Sequence, residues 1–364
     1  MQLKSLDWLI IGAVSVLVIM GLISLYSVSI GTGDFLNFKK QIIFSIISFV
    51  LLFVFSFFDW RVLRESPFLI LIFYFICILA LAGLILFIPP TRGIKGWYKI
   101  GPVSIDPIEF TKIVLVIILA KYFSTRHIEM YQTKHIILSG FYVFLPAFLI
   151  FLQPNLGSAL TIFAVWIGIL IISGIKIKHF LILCFCGFLV LILGWSFLLK
   201  NYQKERIVSF LNPQVDPRGM SWNINQSKIA IGSGGIFGKG IGKGIQTQYG
   251  FLPASQTDFI FAAIAEEMGL VGVGIVLSLF GLLVVRIFQV AFAAQTNFQR
   301  LFASGLAIIL ASQVFINIGM NLGLLPIIGI PLPFVSYGGS GLTSFFIGLG
   351  ILQSVKRSLS GKFF

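Results

Sequence analysis

Five ionisable side chains lie at the starts of two long apolar segments, where charged residues are otherwise rare. Glu109 and Lys112 begin one segment, and Asp258, Glu266 and Glu267 begin another. A charged side chain within a bilayer costs at least about 2.5–3.5 kcal/mol on the insertion scale, so such residues are candidates for function. A carboxylate that is partly desolvated at a membrane boundary has a raised pKa and becomes a better general base. These residues are therefore the first candidates for acid–base chemistry.

Each candidate also has a purely structural interpretation. Glu109 and Lys112 are three residues apart, so a helix would bring them within ion-pair reach, either to neutralise two buried charges or to orient a substrate or catalytic carboxylate. Asp258 precedes an apolar helix and is either a helix-capping acid or a general base at the membrane boundary. Glu266 and Glu267 are adjacent and cannot both face lipid, so at least one must meet protein partners or a wet cavity.

The elements that must position these residues are membrane helices. Of the 364 residues, 58% are hydrophobic and 10% are charged, against roughly 45–50% and 25% in soluble domains. This composition excludes an ordinary soluble enzyme. The net charge of +14 does not indicate a nucleic-acid-binding protein, because so few polar residues leave no solvated basic face.

Apolar runs near the roughly 20 residues that cross a bilayer recur along the chain. They predict an all-α polytopic membrane protein with about ten transmembrane helices. The predicted spans are 8–30, 41–58, 67–88, 108–123, 136–152, 156–173, 179–199, 259–285, 301–322 and 342–355. Only Gln153-Pro154-Asn155 separates the fifth and sixth, which would also fit a re-entrant break or a kink. We expect one integral membrane domain over residues 1–364, with a large extracytoplasmic loop at 200–258 between spans seven and eight.

The distribution of basic residues predicts the orientation. With the N-terminus inside, thirteen lysines and arginines lie in cytoplasmic segments and five lie in the short outer loops. Because short cytoplasmic loops are enriched in Lys and Arg, this excess predicts that both termini are cytoplasmic. The loop at 200–258 then faces outward.

The glycine-rich run at 232–244, which contains Lys239 and Lys243, resembles a phosphate loop at first sight. It lacks the G-x-x-x-x-G-K-[ST] spacing and a preceding strand, so it does not indicate nucleotide binding. The run is either a flexible connector or a loop that approaches an anionic headgroup through backbone N–H groups and ammonium charges.

A set of short motifs occurs in order along most of the chain. They are Lys95-Gly96-Trp97, Ile100-Gly101-Pro102, Pro107 with Glu109, Phe110 and Lys112, Gln153-Pro154 with Leu156-Gly157, the block 226–235, Phe251-Leu252-Pro253, Thr257-Asp258-Phe259-Ile260-Phe261, Glu266-Glu267, Gly269, and finally Asn317, Gly323-Leu324-Leu325-Pro326, Gly329 and Ser336-Tyr337-Gly338-Gly339-Ser340. Together on ten spans, these motifs resemble the RodA/FtsW/SpoVE family, the SEDS membrane glycosyltransferases of bacterial cell-wall synthesis. The amino-acid sequences of segments 206–213 and 228–233 are more similar to the elongation members of the family, such as RodA, than to the division members.

The resemblance implies an inverting peptidoglycan glycosyltransferase that polymerises lipid II into glycan strands on the outer face of the bacterial cytoplasmic membrane, for cell elongation and shape. It implies that Asp258 is the general base and that Glu109 and Lys112 are paired charges near the same cavity. The other residues expected to bind substrate or support the site are Trp97, Lys95, Arg206, Lys228, Lys239, Lys243, Gln153 and Ser336. Four of these are candidates to meet the donor pyrophosphate: Arg206, Lys228, Lys239 and Lys243.

The resemblance also implies partners and a possible metal. The partners would be a class B penicillin-binding protein, which is a transpeptidase, and the elongation machinery, with no nucleic acid. A divalent cation, Mg²⁺ or Mn²⁺, is possible, although no acidic cluster in the sequence defines its site. The chain departs from the family pattern at Asp106, where Gln is common, and at Asn155, where Asp is common, which rearranges the charge of the outer face.

Two other classes of function stay open. Charged residues beside a membrane path also fit a transporter (flippase) of lipid-linked precursors. The chain could instead be a noncatalytic scaffold that positions a penicillin-binding protein through exposed apolar helix faces. Polymerisation of lipid II, its movement across a bilayer, or neither of these would separate the three classes.

Overall fold

The computed structural model describes residues 5–89, 96–101, 103–126, 133–198, 201–212 and 219–359. This part of the chain contains fourteen helices and one two-stranded hairpin. Their bounds are α1 (Trp8–Thr32), α2 (Leu36–Phe57), α3 (Arg61–Glu65), α4 (Pro67–Phe87), β1 (Tyr98–Ile100), β2 (Val103–Ile105), α5 (Pro107–Ser124), α6 (Thr133–Leu152), α7 (Leu156–Ile172), α8 (Ile177–Leu193), α9 (Asn201–Leu211), α10 (Met220–Ser233), α11 (Ile245–Gln248), α12 (Ile260–Phe292), α13 (Asn297–Asn321) and α14 (Gly339–Leu359). A short π-helix, Gly194–Leu198, continues α8.

Each predicted span coincides with a helix over its described residues, and the all-α membrane fold is confirmed. Seven of these helices are long and apolar enough to cross a membrane: α1, α2, α4, α6, α8, α12 and α13. The other three coincide with the remaining predicted spans but are shorter or carry more polar residues: α5, α7 and α14. The count of ten crossings therefore stays a prediction.

Helix α13 lies at the centre of the bundle, packed against α5, α7 and α12, while α14 packs against α2 and α5. Most residues of α13 are buried, although it is no more apolar than its neighbours. A helix that is enclosed by others can carry polar side chains inward, because protein partners there replace lipid. Helix α13 is thus suited to present polar groups to a site inside the protein.

The break between the fifth and sixth predicted spans is a turn between two separate helices, α6 and α7, which pack against each other. The side chain of Asn155 caps α7 by accepting a hydrogen bond from the backbone N–H of Ser158 at 3.2 Å. Asparagine is among the best N-cap residues. The amide at this position therefore has a structural role in starting α7.

The segment predicted as a long outer loop is mostly folded. Helices α9, α10 and α11 lie within 200–258, and the loop after α4 contains the antiparallel hairpin of β1 and β2. The segment shares a small apolar core with the start of α12 and the loop after α13; its buried residues are Ile224, Ala230, Leu252, Phe259, Ala262, Ala263 and Ile327. Ile224, Ala230 and Leu252 are the residues that the segment itself contributes to this second core.

Helix α12 is broken at Gly269, whose φ of 66° and ψ of −162° only glycine adopts without strain. The segment of residues 234–244, which we call the glycine loop, pairs with the broken backbone. The N–H groups of Leu270 and Val271 donate to the carbonyls of Gly235 and Ile236 at 2.9 and 3.1 Å. In return, the carbonyls of Glu266 and Glu267 accept from Lys239 and Gly240, each at 3.0 Å. Four backbone hydrogen bonds therefore hold the glycine loop against α12.

Candidate active site

Asp258 lies in the turn just before α12, at the end of the helix that faces the folded outer segment. It does not cap the helix, because Phe259 occupies the cap position and no side chain caps the end. Asp258 is half-buried, and its carboxylate makes no hydrogen bond within the described residues. The structure therefore does not support the interpretation of Asp258 as a capping acid, and its carboxylate is available for other chemistry.

Two asparagines on α13 hold the backbone of Asp258. The Nδ2 groups of Asn317 and Asn321 donate to the carbonyl oxygen of Asp258 at 3.1 and 2.9 Å, and both side chains are fully buried. The Oδ1 of Asn321 also accepts from the N–H of Ala262 at 3.3 Å, in the first turn of α12. Because the two asparagines are four residues apart, they lie on one face of α13. We call this pair the asparagine clamp.

The loop between α13 and α14 (residues 322–338) closes over the same turn. The hydroxyl of Ser336 donates to the carbonyl of Thr257 at 2.6 Å and accepts from the N–H of Leu332 at 2.8 Å. A Cβ atom placed on Gly329 would lie 3.6 Å from Oδ2 of Asp258, so this glycine passes directly beside the carboxylate. The predicted supporting residue Ser336 thus acts on the backbone next to Asp258.

The surroundings of Asp258 raise the pKa of its carboxyl group toward neutral pH. Burial raises the pKa of Asp258 to about 6, and the positive charge of Arg206 on α9 opposes that rise. A general base works best when its pKa lies near the operating pH, because it is then deprotonated yet still basic. Environment and position together make Asp258 suited to accept a proton.

A second charged cluster lies at the start of α5. Nζ of Lys112 and Oε1 of Glu109 form a buried ion pair at 2.6 Å. A Cβ on Gly341 would lie 3.6 Å from Oε2 of Glu109, which places the pair beside the start of α14. The hydroxyl of Ser340 accepts from the N–H of Asp106 at 2.8 Å. The predicted pair is therefore formed, and it packs against the end of the loop that closes over Asp258.

Asp106 caps α5, with its Oδ1 accepting from the N–H of Ile108 at 2.9 Å. Burial and the nearby carboxylate of Glu109 raise the pKa of Asp106 to about 7, while the Ile108 N–H and the charge of Lys112 oppose the rise. Asp106 is thus a second group with a pKa near neutral pH, at the edge of the same region.

The four predicted phosphate-binding cations lie in two places. Arg206 acts electrostatically on Asp258, and Lys228 on α10 is exposed, with its side chain against Gly323 just beyond the asparagine clamp. Lys239 and Lys243 lie instead on the glycine loop, where Nζ of Lys239 is 3.7 Å from Oε1 of Glu266. Arg206 and Lys228 are therefore the two cations that the fold brings to the surroundings of Asp258.

The structure shows no contact between Asp258 and the remaining predicted residues that it describes, Gln153 and Trp97. The Nε2 of Gln153, fully buried, donates to the carbonyl of Leu81 on α4 at 2.8 Å. Trp97 is exposed at the start of the hairpin. Lys95 lies outside the described residues.

Glu266 and Glu267 meet protein partners, as expected for adjacent buried acids. Glu266 accepts from the N–H groups of Gln246 and Thr247 at 2.9 and 3.0 Å and from the Thr247 hydroxyl at 2.8 Å. Glu267 accepts from the hydroxyl of Ser27 at 2.5 Å and from Nε2 of Gln248 at 3.0 Å. These acids hold α1, α11 and the glycine loop to α12, which is a structural role.

Sequence reasoning missed Asn321, which contacts the backbone of Asp258 as directly as Asn317 does. The available signal was helix spacing, since Asn321 follows Asn317 by four residues within an apolar run. It also missed Ser227, whose hydroxyl donates to the carbonyl of Asn321 at 2.8 Å and so ties α10 to the clamp.

Comparisons with known proteins identify the family of this chain. A family model described as a cell cycle protein, for FtsW, RodA and SpoVE, matches residues 4–361. The chain is 40% identical over 284 residues to the peptidoglycan glycosyltransferase MrdB of Escherichia coli K12, covering 78% of this chain and 76% of that protein.

Two solved structures share the fold. One is a chain from a peptidoglycan synthase complex, described as structurally coordinating polymerization and crosslinking; it has a TM-score of 0.84 and 30% identity, covering 97% of this chain and 98% of that one. The other is the rod shape determining protein RodA of Thermus thermophilus, with a TM-score of 0.71 and 28% identity, covering 97% of both chains. The family match, extending over nearly the whole sequence, means that this chain belongs to the FtsW/RodA/SpoVE family.

Proposed function

We propose that this protein is a peptidoglycan glycosyltransferase that polymerises lipid II into glycan strands, with Asp258 as the general base. The observation that carries the proposal is the state of Asp258. Its carboxylate is half-buried and has no hydrogen bond within the described residues, while the asparagine clamp holds its backbone. Abstraction of a proton from a hydroxyl requires a carboxylate that is held in position, has no hydrogen-bond donor occupying it and has a pKa near neutral. The enzymatic relatives named above support the same reaction class.

In the proposed reaction, the hydroxyl of one sugar attacks the anomeric carbon of another. The new glycosidic bond forms as the bond from the anomeric carbon to the pyrophosphate oxygen breaks, which inverts the configuration at that carbon. The carboxylate of Asp258 takes the proton of the attacking hydroxyl. The pyrophosphate leaves with the bonding electron pair, and nearby positive charge stabilises it.

Arg206 and Lys228 are the proposed source of that positive charge. Arg206 interacts electrostatically with Asp258, and Lys228 is exposed beside the loop that closes over it. The exposed ammonium group of Lys228 can approach a phosphate group from solvent, and the guanidinium of Arg206 adds positive charge beside Asp258. Lys239 is less suited, because it faces the buried Glu266.

Glu109 and Lys112 have a proposed positioning role. Their ion pair is buried and lies beside Gly341. Since the backbone N–H of Asp106 bonds to Ser340, the start of α5 holds the C-terminal end of the loop that carries Gly329 and Ser336. The pair would thus keep the loop next to Asp258 in place.

A divalent cation fits the site only in one manner. Within the described residues, no group of three or more His, Cys, Asp and Glu side chains could hold a metal ion. Mg²⁺ is often held by one or two carboxylates together with substrate phosphates. A cation held mainly by the substrate pyrophosphate would supply charge stabilisation there and leave the carboxylate of Asp258 free to accept the proton.

We place the reaction on the outer face of the cytoplasmic membrane, with both chain termini in the cytoplasm. The excess of Lys and Arg in the opposite loops supports this orientation. The proposed partner is a class B penicillin-binding protein of the elongation machinery. The related chain from a peptidoglycan synthase complex supports a partner of this kind.

The direct test measures glycan synthesis by the full-length protein in lipid vesicles that contain lipid II, with and without the transpeptidase. Asp258→Asn and Asp258→Ala are expected to abolish polymerisation while the protein stays folded. The matched control is Asp34→Asn, which removes an exposed carboxylate between α1 and α2 and is expected to retain activity. Polymerisation by well-folded Asp258→Ala would overturn the assignment, and movement of lipid II without glycan formation would favour a transporter.

A further inference from the structure

The glycine loop carries a group of exposed apolar side chains that the proposed function does not use. Phe237 is 82% exposed, and Ile236 and Ile241 are also exposed. Exposed apolar groups that cluster in space mark a surface that meets a membrane or a partner. The depth of the loop relative to the bilayer decides between these possibilities.

Helix α1 gives a first measure of that depth. Asp7 caps α1 and pairs with Arg286 of α12 at 2.8 Å, on the side of the molecule predicted to be cytoplasmic. Twenty residues further along α1, the hydroxyl of Ser27 accepts from the N–H of Gly242 in the glycine loop at 2.9 Å. Twenty helical residues rise about 30 Å, which is the hydrocarbon thickness of a bilayer. The loop therefore lies at the outer boundary of the hydrocarbon.

Helix α12 gives a second measure from the same ion pair. The carbonyl of Ile236 accepts from the N–H of Val271, just after the break in the helix. From Leu270, α12 rises about 24 Å to Arg286 and about 33 Å to the exposed Phe292. The pairing of the glycine loop with α12 thus lies about 24 Å from the level of the Asp7–Arg286 pair along α12, against about 30 Å along α1, and both distances place the loop near the outer boundary of the hydrocarbon.

The apolar side chains of the loop continue the lipid-facing surface of the helix. Leu270 and Val271 are exposed on α12 at the level of the pairing, and Ile236 and Phe237 extend from the same place. Lys243 is exposed on the loop at the height of Ser27 and makes no ion pair within the described ranges. Apolar side chains beside a lysine at this depth match the boundary between acyl chains and lipid phosphates.

We propose that the glycine loop is seated in the outer leaflet of the bilayer, with Ile236 and Phe237 among the upper acyl chains and Lys243 against the lipid phosphates. This inference does not depend on the proposed catalytic activity. Because Glu266 and Glu267 lie next to the paired backbone, the loop couples the outer half of α12 to the membrane surface. The start of α12, which follows Asp258, is then held at a defined height above the lipid.

The test measures the depth of residue 237 in the full-length protein in vesicles of phosphatidylethanolamine and phosphatidylglycerol. The three native cysteines, Cys77, Cys184 and Cys186, are all free and are first replaced by alanine. A nitroxide label is then attached at Phe237→Cys, and its collision rates with oxygen and with a water-soluble nickel chelate are compared. Ile275→Cys on the exposed face of α12 serves as the lipid reference, and Glu205→Cys on α9 serves as the aqueous reference.

The label at position 237 is expected to favour oxygen over nickel, with a ratio close to that at position 275. A ratio like that at position 205 would overturn the proposal, because the loop would then be in water. Shielding from both reagents would also overturn it, since a second protein surface would then cover the loop. Lys243→Gln is expected to shift the ratio at 237 toward the nickel chelate, whereas Lys204→Gln on α9 is not. An unchanged ratio in Lys243→Gln would overturn the role of that lysine.

Discussion

The side-chain amide of Asn321 donates a hydrogen bond to the backbone carbonyl of Asp258 at 2.9 Å, across 63 residues of chain. Asn317 donates to the same oxygen. The clamp acts on the backbone, so it fixes where the carboxylate is without using the carboxylate itself. An acid that is held in this manner can change its protonation state without losing the contacts that position it.

Replacing Asn321 tests the clamp. Asn321→Leu removes a donor to Asp258 and an acceptor for Ala262, and we expect a loss of stability of about 1–3 kcal/mol from unsatisfied buried groups. Small displacements of a reacting group are costly, so kcat should fall by roughly 10- to 100-fold, with little change in KM. Steady-state polymerisation kinetics and thermal unfolding of the same preparations measure both effects.

The matched control is Gln313→Leu, two turns earlier on α13. Gln313 is buried, and its Nε2 has no hydrogen-bond partner within the described part of the chain. This variant should therefore keep both kcat and stability. A wild-type kcat in destabilised Asn321→Leu would mean that the clamp supports folding only.

Gly329 tests the space beside the carboxylate. Its φ is +74°, and Gly329→Ala would place a methyl group 3.6 Å from Oδ2 of Asp258. We expect a backbone cost of about 1–2 kcal/mol together with a large loss of activity, because the methyl group occupies the approach to the base. Gly33→Ala is the control, since Gly33 has a φ of +71° with no atom within 4 Å of the added Cβ. Equal activity in the two variants would contradict this role for Gly329.

The pH dependence of activity follows from the pKa of Asp258. A general base acts in its deprotonated form, so a group with a pKa of about 6 predicts activity that falls as the pH drops through 6 and levels off above it. Initial rates between pH 5 and 8 measure this. Asp106, with a pKa of about 7, titrates nearby, so the profile should be repeated with Asp106→Asn, which preserves the helix cap. If the acidic limb disappears in that variant, the titrating group is Asp106 and not Asp258.

Removing one partner of the Glu109–Lys112 ion pair should destabilise the protein much more than replacing both partners. Lys112→Met leaves a carboxylate buried without its cation, which we expect to cost about 3–5 kcal/mol of stability. The double variant Glu109→Gln with Lys112→Met should recover most of that loss. Thermal unfolding in detergent measures the difference, with Glu65→Gln in the exposed pair with Arg64 as the control, where the expected cost is about 0–1 kcal/mol. A double variant as unstable as Lys112→Met would contradict this account.

Several properties of this protein follow from the sequence alone. The helices of the bundle coincide with the predicted apolar runs. Each run that crosses lipid must satisfy its own backbone N–H and C=O groups, and a helix does this within a single segment. Because charged residues are scarce in the apolar segments, the sequence indicated Asp258, Glu109 and Lys112 as functional candidates. The spacing of the last two predicted the ion pair that the structure contains. The family resemblance rests on ordered motifs and is likewise a property of the chain as written.

The tertiary structure decided which of these residues meet. It brought Asn321 and Ser336 to the backbone around Asp258, placed Arg206 near the same carboxylate, and paired the glycine loop with the break in α12. It also separated Lys239 and Lys243 from the other two cations. Such contacts join residues that are distant in sequence, so they depend on how whole helices pack and not on local pattern. Hydrophobic periodicity determines that a helix forms and which residues are apolar, but the partner of each polar group is determined only when the bundle closes.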